Sequence, residues 1–266
     1  MCVIISFLQK FIVSLTMANL DQFYTPRAKA KLCLDFLFER IDCKNMLFVE
    51  PAAGTGAFYD QINYNKIGLD LDPRCEGVLK QNFLTYKFEH NNVITVGNPP
   101  FGKNSSLAVK FFNHAASSKY IAMIFPRTFE KASIQNRLNP YFHLHSSLPL
   151  DGVFINEGKN VIVPSVFQIW ERRDYKRELV KTLIEHDDFQ FVSKKDATFS
   201  FQRVGVNAGC IRTDFSDRAE QSHYFIKCSN EVFLKFKKLD FSDVKLKCAG
   251  NPSISKRELI FSYLAL

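Results

Sequence analysis

Asn98-Pro99-Pro100-Phe101-Gly102 sets a side-chain amide, two prolines and a flat ring in consecutive positions. Two prolines in a row fix the backbone and remove two N–H donors. What remains is a local excess of acceptors, the Asn98 amide oxygen and the neighbouring carbonyls. Such a cluster can grip both hydrogens of a substrate NH2, while Phe101 offers a face on which a planar group can stack. The bland alternative is a rigid turn that caps a strand. A glycine loop and an acid lying upstream in register weigh against it.

That glycine loop is Glu50-Pro51-Ala52-Ala53-Gly54-Thr55-Gly56-Ala57-Phe58. Gly54 and Gly56 let the chain turn tightly and leave room for a ligand against the backbone. Asp70 ends the next apolar run, where an acid can hold a ribose diol. The third glycine of the dinucleotide fingerprint is absent, so a pyrophosphate is not strongly expected, and a plain structural turn stays open for the loop alone. Lys103 and Ser105 could touch a nucleic-acid backbone or cap the following helix. Arg127, in Phe125-Pro126-Arg127-Thr128-Phe129, could contact a phosphate or form a structural salt bridge. Trp170 reads as core, and Arg172, Arg173, Lys176 and Arg177 as a solvated face or a phosphate contact. Asp72 reads as a surface or helix-capping acid.

These residues need elements to hold them. Asn45–Glu50, Lys66–Asp70, Val93–Gly97 and Tyr120–Phe125 are short apolar runs that predict strands. Between them Gly56–Ile62, Pro73–Leu79 and Ser105–Ser117 are plausible helices. Strands alternating with helices imply βαβ units and a parallel sheet covered on both faces. His143–Phe154 and Val161–Arg172 predict two more strands, with Pro164 marking a sheet edge or a bulge. Beyond Arg173 the alternation is lost, and the pattern predicts a small C-terminal α+β extension whose boundary falls within 173–188. The expected organisation is a leader over 1–16, a catalytic domain over 17–180 and a substrate-recognition extension over 181–266.

Composition narrows the class. The 266 residues are 46% hydrophobic and 23% charged, which argues against disorder, collagen and a membrane bundle. A chain this long buries a core without disulfide or metal staples. Seven cysteines show no CxxC spacing, which fits neither a zinc site nor a secreted disulfide framework and points to a reduced, intracellular chain. The six histidines, His90, His114, His143, His145, His186 and His223, have no ligand spacing, so no metal is expected. Lys and Arg number 35 against 27 Asp and Glu, a net +8. That excess is compatible with a polyanionic partner, because neutralising phosphates releases counterions. Residues 1–16 are mostly apolar but broken by Gln9 and Lys10. They are too short to span a bilayer and lack signal-peptide features; an upstream start or a disordered leader is expected, and no membrane partner.

With its motifs in this order, the sequence resembles class I S-adenosylmethionine-dependent methyltransferases of the N6-adenine group, in the arrangement of the γ class of DNA enzymes. The resemblance covers about residues 22–172. It implies a Rossmann-like α/β fold with a mostly parallel seven-stranded sheet and S-adenosylmethionine as methyl donor. Gln22-Phe23-Tyr24-Thr25-Pro26 resembles the segment that folds over the methionine moiety, which makes Tyr24 and Thr25 cofactor candidates. Glu50, Pro51, Ala53, Gly54 and Gly56 match the first cofactor motif and Asp70 the ribose-binding acid. Asn98, Pro99, Pro100 and Phe101 match the catalytic motif. Asn82-Phe83 stands where the family usually has Asp-Phe, so the bond to the cofactor's adenine amine would be accepted by an amide, a weaker acceptor than a carboxylate.

The implied reaction is direct transfer to an exocyclic amine held by the Asn98 Oδ1 and the Pro99 carbonyl, with neither metal nor general base. Adenine in nucleic acid, DNA ahead of RNA, is the expected substrate, with Lys103 and Arg127 as substrate-side candidates. Transfer to protein glutamine N5, or a catalytically silent binding subunit, are the alternatives.

Overall fold

Each of the four apolar runs between residues 45 and 126 becomes a strand in the computed structural model, which describes residues 23–87, 92–150, 152–156, 158–180, 183–247 and 251–266. The expected leader over 1–16, Gln22 and His90 lie outside the described residues. Strands β1 (Leu47–Glu50), β2 (Lys66–Asp70), β3 (Val78–Lys80), β4 (Val93–Gly97) and β5 (Tyr120–Pro126) pair in parallel. All five residues of β4 are buried. Such continuous apolar strands are those of parallel sheets covered on both faces.

The full order is β3-β2-β1-β4-β5-β9-β6, where β6 (Phe142–Leu150) and β9 (Ser165–Arg172) close one edge and β9 runs antiparallel to both its neighbours. This is a Rossmann-like α/β fold, seven strands with the parallel ones in the majority. The chain steps outward from β1 to β3 and then returns to place β4 on the other side of β1. The order therefore reverses between β1 and β4, and a doubly wound sheet holds ligands at such a switch point.

Among the described residues two helices cover this sheet, α1 (Arg27–Phe38) and α2 (Ser106–His114). Phe167 and Trp170 are three apart on β9, so their side chains leave opposite faces. Phe36 of α1 meets Phe167 at 6.2 Å between ring centroids, and Phe112 of α2 meets Trp170 at 5.4 Å. The expected cover on both faces is present, with Trp170 in the core.

Two predicted helices do not form. Gly56–Ile62 contains a single 3-10 turn, Tyr59–Gln61. Within Pro73–Leu79, Gly77 adopts φ +79°, where a side chain would meet the Tyr59 hydroxyl at 3.0 Å. A left-handed residue breaks helical propagation, and the chain enters edge strand β3 instead. The two strands expected over 143–172 become four. A separate hairpin, β7 (Val153–Asn156) and β8 (Lys159–Ile162), stands between β6 and β9. Pro164 immediately precedes β9, which is an interior strand and not an edge. A proline just ahead of a strand costs no ladder bond, and the bulge falls in β6, between Leu144 and Ser146.

The chain divides into two compact units. One runs to Pro126 and resumes over Leu138–Arg177; the other comprises Arg127–Arg137 and Glu178–Leu266. The second unit thus takes an excursion, including the short helix α3 (Ala132–Gln135), that lies within the stretch expected to be catalytic domain. Its antiparallel sheet, in the order β10-β13-β11-β12, is formed by β10 (Phe189–Phe191), β11 (Phe199–Gln202), β12 (Ile211–Arg212) and β13 (His223–Cys228). Helices α4 (Asn230–Phe236) and α5 (Lys256–Leu264) add Phe236 and Tyr263 to Phe189 and Phe199 in an aromatic core. Ser255 and Glu258 form a capping box at the start of α5. Among the described residues no helix is long and apolar enough to cross a membrane, and no cluster of His, Cys, Asp and Glu could hold a metal ion.

Candidate active site

A cleft of about 250 Å³ opens at the carboxyl ends of β1, β2 and β4. Tyr24, Thr25, Glu50, Pro51, Ala53, Gly54, Asp70, Asn82 and Phe83 all line it, together with Asn98, Pro99, Pro100 and Phe101. The structure therefore gathers into one cavity segments that are far apart in sequence. Gly56 sits just behind the lining, its N–H donating to the Ala53 carbonyl at 2.8 Å.

The glycine loop owes its shape to Asp70. The Gly54 N–H donates to Asp70 Oδ2 at 2.7 Å, and the Asp72 N–H donates to Asp70 Oδ1 at 2.8 Å. Each carboxylate oxygen keeps a further lone pair for a ligand hydroxyl. Gly54 itself lies at φ +50°, and a Cβ there would stand 3.2 Å from the Tyr24 ring. Tyr24 therefore rests directly on the loop backbone. Arg74 borders the same corner, its N–H donating to the Gly54 carbonyl at 3.1 Å and its guanidinium 5.4 Å from the centre of the Tyr24 ring.

Glu50 ends β1 fully inside the protein, with 3% exposure. Burial pushes its carboxyl well above the usual carboxylate range, and the charges of Asp70 and Asp60 add to this against the pull of the Tyr59 N–H and Lys66. Its Oε2 has no hydrogen-bond partner among the described residues. A buried carboxyl oxygen left unpaired is costly, and it calls for a donor or cation supplied by a ligand.

A second orphan lies across the cleft. Asn98 Nδ2 donates to the Phe23 carbonyl at 3.0 Å, whereas the buried Asn98 Oδ1 has no partner among the described residues. Phe101 is only 7% exposed. Its ring centroid is 6.5 Å from that of Phe23 at an interplanar angle of 36°. The open stacking face expected of Phe101 is therefore shared with a second ring.

The remaining candidates separate. Asn82 Oδ1 accepts from the Leu84 N–H at 3.0 Å, so the amide caps its own 3-10 turn while it lines the cleft. Phe83 is buried and stacks on Phe111 at 5.3 Å. Lys103 is exposed and does not line the cleft. Arg127 belongs to the second unit, where its guanidinium meets Glu130 at 3.0 Å and Asp243 at 3.1 Å. The structure thus realises the salt-bridge alternative for Arg127.

Some lining residues were not expected. Asp72 reaches the cleft and pairs with Arg74 at 3.3 Å; with no helix over 73–79 it has none to cap. Leu107 and Phe111 reach it from α2, although apolar residues at helical spacing read as core. Phe23 lies in the segment that resembles the one over the methionine moiety, but only Tyr24 and Thr25 of that segment were expected at the site; Phe23 lines the cleft with them. The cleft nevertheless fits S-adenosylmethionine: it presents an unpaired buried carboxyl for a cationic group, spare lone pairs of Asp70 for a diol, and the apolar wall of Phe83.

No protein-family model matches the chain, and no curated protein matches it. Solved structures do. A candidate RNA methyltransferase of Pyrococcus horikoshii is 17% identical, with a TM-score of 0.47, over 57% of this chain and 87% of its own. A modification subunit of a candidate type I restriction enzyme from Vibrio vulnificus is 14% identical at a TM-score of 0.42, over 94% of this chain and 62% of its own. The N-methyltransferase NodS of Bradyrhizobium japonicum, solved with S-adenosyl-L-homocysteine, is 8% identical at a TM-score of 0.42, over 56% and 87%. To these methyltransferase structures the chain is similar in fold.

Proposed function

We propose that this protein transfers a methyl group from S-adenosylmethionine to the exocyclic N6 amine of adenine in nucleic acid, DNA ahead of RNA. The observation that carries the reading is the buried Asn98 Oδ1, an acceptor without a partner among the described residues, on a residue that lines the cleft next to Pro99. An NH2 group has two hydrogens to give, and this end of the cleft has two acceptors to receive them. S-adenosylmethionine, when bound, supplies an electrophilic methyl group on a sulfonium.

Tyr24, Thr25, Pro51 and Ala53 would shape the cofactor's seat around Gly54. Glu50 would face its cationic end, Asp70 its ribose, and Asn82 with Phe83 its adenine. Asn98 and Pro99 orient the target nitrogen and support the positive charge that develops there as its lone pair is used. Most of the acceleration would then come from positioning and from preorganised dipoles. The proton that leaves the methylated amine passes to water, since no side chain of unusual basicity is needed for it. A base in a duplex must first be turned out of the stack, at a cost of a few kcal/mol. The net +8 charge of the chain supports a phosphate-bearing substrate.

Tritium transfer from labelled S-adenosylmethionine to DNA, RNA and a protein extract tests the reading, with Asn98→Ala beside it. N6-methyladenine labelled in one nucleic acid, and lost in the variant, is the expected result. Label confined to protein glutamine would replace the reading. Cofactor binding without transfer to any of the three would mark a silent binding subunit.

A further inference from the structure

We infer that Phe23 is a substrate-positioning residue, the second aromatic wall of the site that receives the target amine; the inference rests on the function proposed above. Phe23 and Tyr24 are successive residues of a segment that Tyr24 ties to the β7–β8 hairpin by an isolated antiparallel bridge to Ile155. The Tyr24 N–H donates to the Ile155 carbonyl at 2.8 Å, and the Ile155 N–H returns a bond to the Tyr24 carbonyl at 3.0 Å. Successive side chains of an extended segment point in opposite directions. Here that alternation divides the cleft. Tyr24 lies over Gly54, on the glycine-loop side, and Phe23 lies beside Phe101, on the Asn98 side.

Three features converge on Phe23. Its backbone carbonyl takes the Asn98 Nδ2 hydrogen at 3.0 Å, which leaves Oδ1 as the amide atom without a partner among the described residues. Its ring centre stands 6.5 Å from that of Phe101. Both rings line the cavity that holds the unpartnered Asn98 oxygen. A planar group needs about 3.5 Å on each face, about 7 Å in all, so the two rings, 6.5 Å apart at 36°, must align and part slightly to take one between them. A nucleobase presents such a π-face to both walls, and stacking on one aromatic side chain already contributes substantially to binding a base. A flexible carboxamide presents far less flat surface. The pair of rings thus selects an amine carried on an aromatic plane.

The test uses the full chain with Phe23→Leu, Phe23→Ala and Phe23→Tyr, none of which removes the backbone carbonyl that holds Asn98. Leu keeps apolar bulk without a π-face, so it separates stacking from packing. Tritium transfer is measured on the nucleic acid that the wild type labels, and cofactor affinity by calorimetry. KM for the nucleic acid should rise about 10- to 100-fold in Phe23→Leu and Phe23→Ala and return in Phe23→Tyr, with cofactor affinity within about threefold of wild type. A wild-type KM in Phe23→Leu overturns the inference and leaves the proposed function standing. So does a loss of cofactor affinity in place of the KM effect. Wild-type transfer to protein glutamine alone, or to nothing, overturns both.

Discussion

The Asn98 side-chain amide donates through Nδ2 to the backbone carbonyl of Phe23, 75 residues earlier in the chain, at 3.0 Å. That bond distinguishes the two ends of the amide: the nitrogen is committed to Phe23, and the buried oxygen has no partner among the described residues. The Asn98–Phe101 motif is local, yet the orientation of its amide is set from outside it.

Asn98→Ala should lower kcat about 100-fold or more, as the loss of one preorganised hydrogen-bonding group does elsewhere, with cofactor affinity within about threefold. Asn98→Asp is the sharper variant. It keeps an acceptor for the substrate but sets a carboxylate oxygen against the Phe23 carbonyl. Losing that bond in a buried place costs about 1–3 kcal/mol, so kcat/KM should fall by about 5- to 150-fold. Single-turnover rates of the two variants check this, and an Asp variant equal to wild type would remove Phe23 from the account of Asn98.

Gly54→Ala should weaken cofactor binding and lower thermal stability together. The residue lies at φ +50°, a backbone region that costs an L-residue about 1–2 kcal/mol, and its Cβ would press on the Tyr24 ring at 3.2 Å. Calorimetry with S-adenosylmethionine and a thermal melt read the two effects. A variant with unchanged affinity would place the cofactor away from this loop.

Glu50 makes stability depend on pH. Its folded carboxyl is held above the ordinary value, chiefly by burial, so the folded state favours the protonated form. The contribution is complete below the ordinary carboxylate range and is lost as pH rises through the raised folded value. Glu50→Gln removes the ionisation while keeping the shape. The ligand-free variant should therefore melt progressively above wild type as pH rises from acid to neutral, while binding S-adenosylmethionine more weakly. Melting curves across pH decide it: a Tm difference that does not change with pH would contradict the burial-driven shift.

Arg127→Ala should act on the stability of the second unit. The guanidinium meets Glu130 and Asp243 with only 19% of its side chain exposed, a setting in which an ion pair contributes about 1 kcal/mol. Urea unfolding should show a loss of that size. Unchanged stability, with the salt slope of nucleic-acid affinity reduced by about one, would instead identify a phosphate contact.

Much of this was legible from residue order. Short apolar runs ending at Glu50, Asp70 and Gly97 determine buried strands, because their composition suits a sheet covered on both faces. The acids, glycines and prolines directly after those runs then had to fall at the carboxyl ends. The lengths between them were less informative. Gly77 in a left-handed conformation turned an expected helix into a loop and an edge strand, and a separate hairpin formed where the two strands expected over 143–172 approach each other. Contacts between distant segments were not legible at all. That Phe23 holds Asn98, that Tyr24 rests on Gly54, and that Arg127 is taken by Asp243 116 residues away follow from how the segments pack. Local sequence specifies the backbone's preferences, because those are set by each residue's own sterics and polarity. Which buried oxygen keeps a partner and which is left for a ligand is decided only when segments remote in the chain close around one cavity.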